Sequence, residues 1–128
     1  MTDFNSKNNR FVWMDIPVAD LDRACRFYEG VLGIKCPKDS FEGFEFAVLD
    51  HKDGNGGCLV PRAETISGSK GPLVYLNVDG RIRDAVAQVV ALGGKVTQGV
   101  HAIGPHGVRA LIVDSEGNQF ALHANTDA

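Results

Sequence analysis

The chain states one pattern twice. Val12-Trp13-Met14-Asp15-Ile16-Pro17-Val18, then Leu21-Ala24-Cys25-Tyr28-Val31-Leu32 closed by Gly33, recurs as Leu73-Val74-Tyr75-Leu76-Asn77-Val78, then Ile82-Ala85-Val86-Val89-Val90-Leu92 closed by Gly93-Gly94. Strand parts match at an offset of 60 residues (Val18 to Val78) and helix parts at 61 (Leu21 to Ile82), so the joint between them has gained one residue. Neither half is large enough to bury its apolar face alone, so the two are expected to pack into one unit with the functional site between them.

The 128 residues suit one domain with a single core. We divide it into module one at about 10–66, a linker at 67–72 and module two at about 73–126, because Ser67 to Pro72 is small, polar and rich in turn formers. Thirteen Lys and Arg stand against sixteen Asp and Glu, for a net charge of −3, and the basic residues are scattered. That leaves no electrostatic footprint for nucleic acid. The first ten residues are polar apart from Phe4, and no apolar run nears the roughly 18 residues of a membrane span, so the expected location is the cytoplasm. Three cysteines without a CxxC spacing argue against a disulfide framework and a zinc knuckle, and Cys25 falls on the apolar stripe of the first helix.

Within the first strand Val12, Met14, Ile16 and Val18 share one face, and Trp13, Asp15 and Pro17 the other. Asp20 stands at an N-cap and Gly33 at a left-handed C-cap; Asp79 is expected to cap the second helix and Gly93-Gly94 to end it. After each helix come three strand-like segments. In module one they lie around Lys35-Cys36, at Gly43–Leu49 and at Gly57–Val60, with Asp53 to Gly57 as a turn. In module two they lie at Lys95–Val100, Val108–Val113 and Gln119–His123, with Asp114 to Asn118 as a hairpin turn. Each module reads strand, helix, strand, strand, strand.

Two βαβββ modules, with Asp20-Leu21-Asp22-Arg23-Ala24 leading into Phe27-Tyr28-Glu29 and Leu32-Gly33, resemble the vicinal oxygen chelate superfamily, which includes glyoxalase I, extradiol dioxygenases and the bleomycin and fosfomycin resistance proteins. The ending, with Asp114-Ser115-Glu116-Gly117-Asn118 before Leu122-His123, is similar to a bacterial subgroup called glyoxalase-like. The resemblance runs from about Phe11 to Ala124. It implies an α+β fold in which tandem βαβββ modules form a curved mixed sheet around a cavity. The residues opposite the helix-facing set would then line that cavity: Trp13, Asp15, Leu73, Tyr75, Asn77, Ala121 and His123.

The resemblance also places the metal ligands of metal-dependent members, and here the sequence departs from the pattern. The first ligand position carries Trp13, its duplicate Leu73 and the last-strand position Ala121, while the Gly57 to Val60 segment offers only Cys58. Neither metal nor other cofactor is expected at those places. Asp15, Tyr75 and His123 each lie two residues further along the same strand faces. Three readings follow: a metal-free acid/base pair in which Asp15 orients His123 and His123 moves a proton, a displaced divalent-metal site, or rim residues bonded to backbone and water. Trp13, Tyr75 and Asn77 are candidates for the substrate wall, and His106 and Arg109 for holding an anionic group, with His101 beside them. Two functions fit: a lyase or isomerase acting on a small molecule without the usual metal, or a sequestering protein of the antibiotic-resistance type. Sheet edges left open by two small modules predict a homodimer.

Overall fold

The computed structural model describes residues 11–68 and 70–127. Module one runs β1 (Asp15–Val18), α1 (Leu21–Leu32), β2 (Lys38–Phe41), β3 (Phe44–Val48) and β4 (Cys58–Pro61). Module two repeats this as β5 (Val74–Asn77), α2 (Ile82–Ala91), β6 (Lys95–Ala102), β7 (Val108–Val113) and β8 (Gln119–Ala124). The strands form two four-stranded mixed sheets, β1-β4-β3-β2 and β5-β8-β7-β6, each with one parallel pair at the first strand and antiparallel pairs beyond it. No described strand of one sheet pairs with the other. The α+β duplication is as expected; the single curved sheet is two sheets.

The core lies between sheets and helices. Ile16, Val18, Ala47 and Leu59 of the first sheet meet Ala24, Phe27, Tyr28 and Val31 of α1, all at most 1% exposed. In module two Ile112, Leu122 and Ala124 meet Ile82, Ala85 and Val89 in the same way. Val90, one of the apolar residues of the second helical pattern, faces outward at 63% exposure. The alternating Phe44, Phe46 and Val48 lie on the side of β3 away from the helix, where Phe44 stays 44% exposed; Ala47 is the core residue of that strand.

Two local expectations need correction. Lys35-Cys36 is not a strand: the ladder of β2 begins after Pro37, which has no N–H to contribute. The Cys36 N–H instead donates to Glu29 Oε2 at 3.0 Å. Asp79 does not cap α2. The helix begins after Arg81, which supplies no side-chain cap, whereas Asp20 accepts the Arg23 N–H of α1 at 3.0 Å. The inserted residue explains this, because the 61-residue offset sets Arg81, not Asp79, at the place of Asp20. Gly80 turns with φ 81°, and the displaced Asp79 carboxylate accepts the Asn125 N–H at 2.7 Å, pinning the chain after β8.

The modules are joined by a polar staple that the sequence did not announce. The 114–118 turn packs on the start of α1, where Glu116 Oε1 accepts the N–H groups of Ala19 and Asp20, both at 2.9 Å. Arg23 adds a fork to the same carboxylate at 2.7 and 2.8 Å. Burial pushes the Glu116 carboxyl up, but the guanidinium and the amides outweigh it and hold it down at about 2. Beside it the Tyr28 hydroxyl donates to Asp114 Oδ2 at 2.5 Å, and Asn118 Nδ2 donates to the Pro17 carbonyl at 2.8 Å. These bonds clasp the two halves together.

Candidate functional site

The best-formed cavity among the described residues, about 520 Å³, opens on the face of the second sheet away from α2. Its lining comes from module two alone: Tyr75 of β5, Arg109 of β7, His123 of β8, and Ile103 and His106 of the loop joining β6 to β7. Strand register explains the grouping. Asn77 lies opposite His123 and His123 opposite Arg109, while Tyr75 lies opposite Ala121, so Tyr75 and Arg109 flank β8 diagonally. Ala121 is fully buried, and its small side chain leaves the long ones room to meet above it.

They do meet. Arg109 Nη1 donates to the Tyr75 hydroxyl at 2.6 Å, and the guanidinium carbon lies 6.0 Å from the Tyr75 ring centroid. Arg109 Nε donates to His101 Nε2 at 3.1 Å. His101 Nδ1 lies 2.8 Å from the Gly99 carbonyl, which can only accept. His101 is thus a neutral ring with its proton on Nδ1, the tautomer that leaves Nε2 free to receive Arg109.

His123 is oriented by one bond: its Nε2 lies 2.7 Å from the His106 carbonyl and must donate to it, so that in the neutral ring Nδ1 is the acceptor and has no protein partner among the described residues. The His106 carbonyl is held in place by a short 3₁₀ turn at Gly104–His106, closed by the Ile103 N–H on the Gly107 carbonyl at 2.9 Å. Gly107 takes φ 95°, and a Cβ there would stand 2.4 Å from the Ala124 carbonyl oxygen, so only glycine fits. The ring of His123 meets Tyr75 edge-on at 6.3 Å.

Asp15 and Trp13 lie elsewhere. Both belong to the β1 end of the first sheet, where Trp13 Nε1 donates to Asp15 Oδ1 at 3.2 Å, the Cys58 thiol donates to the same oxygen at 3.3 Å, and Trp13 meets His51 edge-on at 5.7 Å. Burial, then the bond to Asp15, pushes the Cys58 thiol up to about 11, which keeps it protonated near neutral pH. Asp15 and His123 make no hydrogen bond or ion pair with each other, so the orienting partner of His123 is a backbone carbonyl and not Asp15. Asn77 faces outward beside His123, its Oδ1 accepting the Asp79 N–H at 2.8 Å.

The residues at the metal positions do not fit a divalent cation. Leu73 and Ala121 have no donor atom, Trp13 offers only an N–H, and Cys58 keeps its proton. Among the described residues no three His, Cys, Asp or Glu side chains gather where an ion could sit. Asp15 falls on the first sheet while Tyr75 and His123 share the second, and the three form no ion-binding group.

This duplicated fold has known counterparts. Residues 10–122 match the family model of the Glyoxalase/Bleomycin resistance protein/Dioxygenase superfamily, and the chain belongs to that superfamily. Among similar solved structures, the hypothetical protein SA1046 of S. aureus shares 17% identity over 91% of this chain and 94% of that one, with a TM-score of 0.71. A glyoxalase-related enzyme from Fulvimarina pelagi shares 16% over 91% and 88%, with a TM-score of 0.68. The fosfomycin resistance protein FosX from Listeria monocytogenes shares 12% over 91% and 93%, with a TM-score of 0.67. At these identities the likeness is one of fold. No curated protein matches the sequence, and no described helix is long and apolar enough to cross a membrane.

Proposed function

We propose that this protein holds a small organic molecule in the module-two cavity and acts on it as a glyoxalase-like lyase or isomerase, with His123 moving a proton and no metal taking part. The observation that carries this reading is the orientation of His123 by the His106 carbonyl. With Nε2–H committed to the His106 carbonyl at 2.7 Å, Nδ1 is the atom of the neutral ring that can take a proton from a substrate, in a cavity that also presents Arg109 and Tyr75. Arg109 and the Tyr75 hydroxyl supply the charge and the hydrogen bond that would steady a developing oxyanion. The carbonyl oxygen would take the place the notional Asp partner holds in other acid/base pairs, orienting the ring without adding charge.

The experiment is solvent exchange: carbonyl acids and hydroxycarbonyl compounds incubated with the protein in D₂O, with loss of the proton next to the carbonyl followed by NMR. His123→Gln keeps an amide donor for the His106 carbonyl and removes the base, so it should abolish exchange that the native protein supports. Exchange undiminished in that variant would refute the assignment.

A sequestering role without turnover is the second reading, favoured by the openness of the cavity, where Tyr75 stays 46% exposed. Tight binding with no exchange for any compound bound would select it. On either reading we take the protein to be a homodimer. Phe41 and Phe44 are 68% and 44% exposed on the first sheet, Tyr75 lies open on the second, and pairing of two copies would cover such faces. Asp15 and Trp13 would then reach a bound molecule only from the second copy.

A further inference from the structure

We propose that the cavity selects an organic monoanion with an apolar body, its acid group on Arg109 and its body on Ile103 and the Tyr75 ring. The inference rests on the reading of the cavity as the ligand site, and the company Arg109 keeps is what carries it. Arg23, Arg81 and Arg83 each pair with a carboxylate, of Glu116, Asp84 and Asp127, and Arg109 is the arginine that lines the cavity. Arg109 pairs with none: its partners are a neutral imidazole at 3.1 Å and a phenol oxygen at 2.6 Å, and no Asp or Glu lines the cavity. A partly buried guanidinium with no carboxylate beside it is free to take its counter-charge from a bound anion.

The free donors point to what supplies it. One Nε–H and one Nη1–H are committed, which leaves the second Nη1–H and both Nη2 hydrogens, the end-on fork that matches two oxygens of a carboxylate or phosphonate. The Tyr75 oxygen accepts from Arg109, so its own hydrogen is free to donate to the same anion. His101, locked as an acceptor by its bond to Gly99, holds the fork in place. Around this guanidinium the open cavity offers the Ile103 side chain and the Tyr75 ring as apolar surface.

Calorimetry on the full chain with matched probes tests this: benzoate and phenylphosphonate as anions with a ring, benzamide as the neutral isostere, benzylammonium as the cation, and acetate as an anion without a body. Backbone amide shifts at Tyr75, Ile103, Arg109 and His123 report where each probe sits. Benzoate or phenylphosphonate should bind at these residues at least tenfold more tightly than benzamide, benzylammonium or acetate. Arg109→Gln should erase the difference between benzoate and benzamide. Should that variant not fold, the Arg109 Nε–H signal of the native protein gives the same information, moving with benzoate and not with benzamide. Benzamide or benzylammonium binding at these residues as tightly as benzoate would overturn the anion selectivity and leave the ligand site standing. Probes that bind while shifting other residues, or no binding by any probe, would overturn both.

Discussion

Arg109 of β7 and Tyr75 of β5 are joined across the intervening strand β8 by a hydrogen bond of 2.6 Å that passes over Ala121. In metal-dependent relatives the resemblance puts a ligand at the place of Ala121. Here a methyl group lies there, and the room is used by a cation and a phenol. Tyr75→Phe should leave the melting temperature within a few degrees, because the side chain is half exposed, and should weaken a bound anion several-fold by removing the free hydroxyl hydrogen. Paired thermal melts and titrations check it.

Acid should loosen the clasp between modules. Glu116 sits at about 2 when folded against an ordinary 4.5, so its contribution is complete above 4.5 and is lost as pH falls from there toward 2. Allowing for the half-exposed Arg23, that contribution is on the order of 2 kcal/mol. Urea titrations at pH 7, 4 and 3 should show native stability falling through this window, and Glu116→Gln, less stable at pH 7, should show a flatter fall. A variant whose profile parallels the native one would remove Glu116 from the account.

Gly107 should be irreplaceable for the cavity. Alanine there would hold φ 95° and press its Cβ against the Ala124 carbonyl at 2.4 Å. Gly107→Ala should cost about 1–3 kcal/mol and release the His106 carbonyl from His123, which denaturant melts and the His123 ring signals can both follow.

Assembly follows from the exposed aromatic residues. Light scattering at micromolar concentration should give the mass of two chains, and Phe44→Asp, which gives up the stacking of Phe44 on Phe46 at 6.5 Å, should give one. A native monomer would refute the dimer.

Metal content follows from the chemistry of the vacated positions. Protein purified without chelator should carry well under one Ni, Zn, Fe or Mn per chain by elemental analysis, and chelator should leave ligand binding unchanged.

The duplication, both helices and seven of the eight strands could be read from the sequence because apolar periodicity and the turn residues Gly33 and Asp114 to Asn118 act locally. The start of β2 was misplaced because a proline, not apolar pattern, sets where its ladder begins. Asp79 misled because an acid before a helix resembles a cap, although the 61-residue offset of the helices already pointed to Arg81. The candidate site was legible by face: Tyr75, His106, Arg109 and His123 do converge. Asp15 and Trp13 do not join them, since strand periodicity gives the face of a residue and says nothing of which sheet stands opposite. Glu116 gave no signal, because a carboxylate in a polar turn reads as solvated until the other module is packed against it.

The most direct test of the account is where small molecules settle on the protein. Crystals soaked with a mixed library of neutral, acidic and basic fragments should show density clustered among Tyr75, Ile103, His106, Arg109 and His123. Density gathered instead at Trp13, Asp15 and Cys58, with the module-two cavity left unvisited, would contradict it.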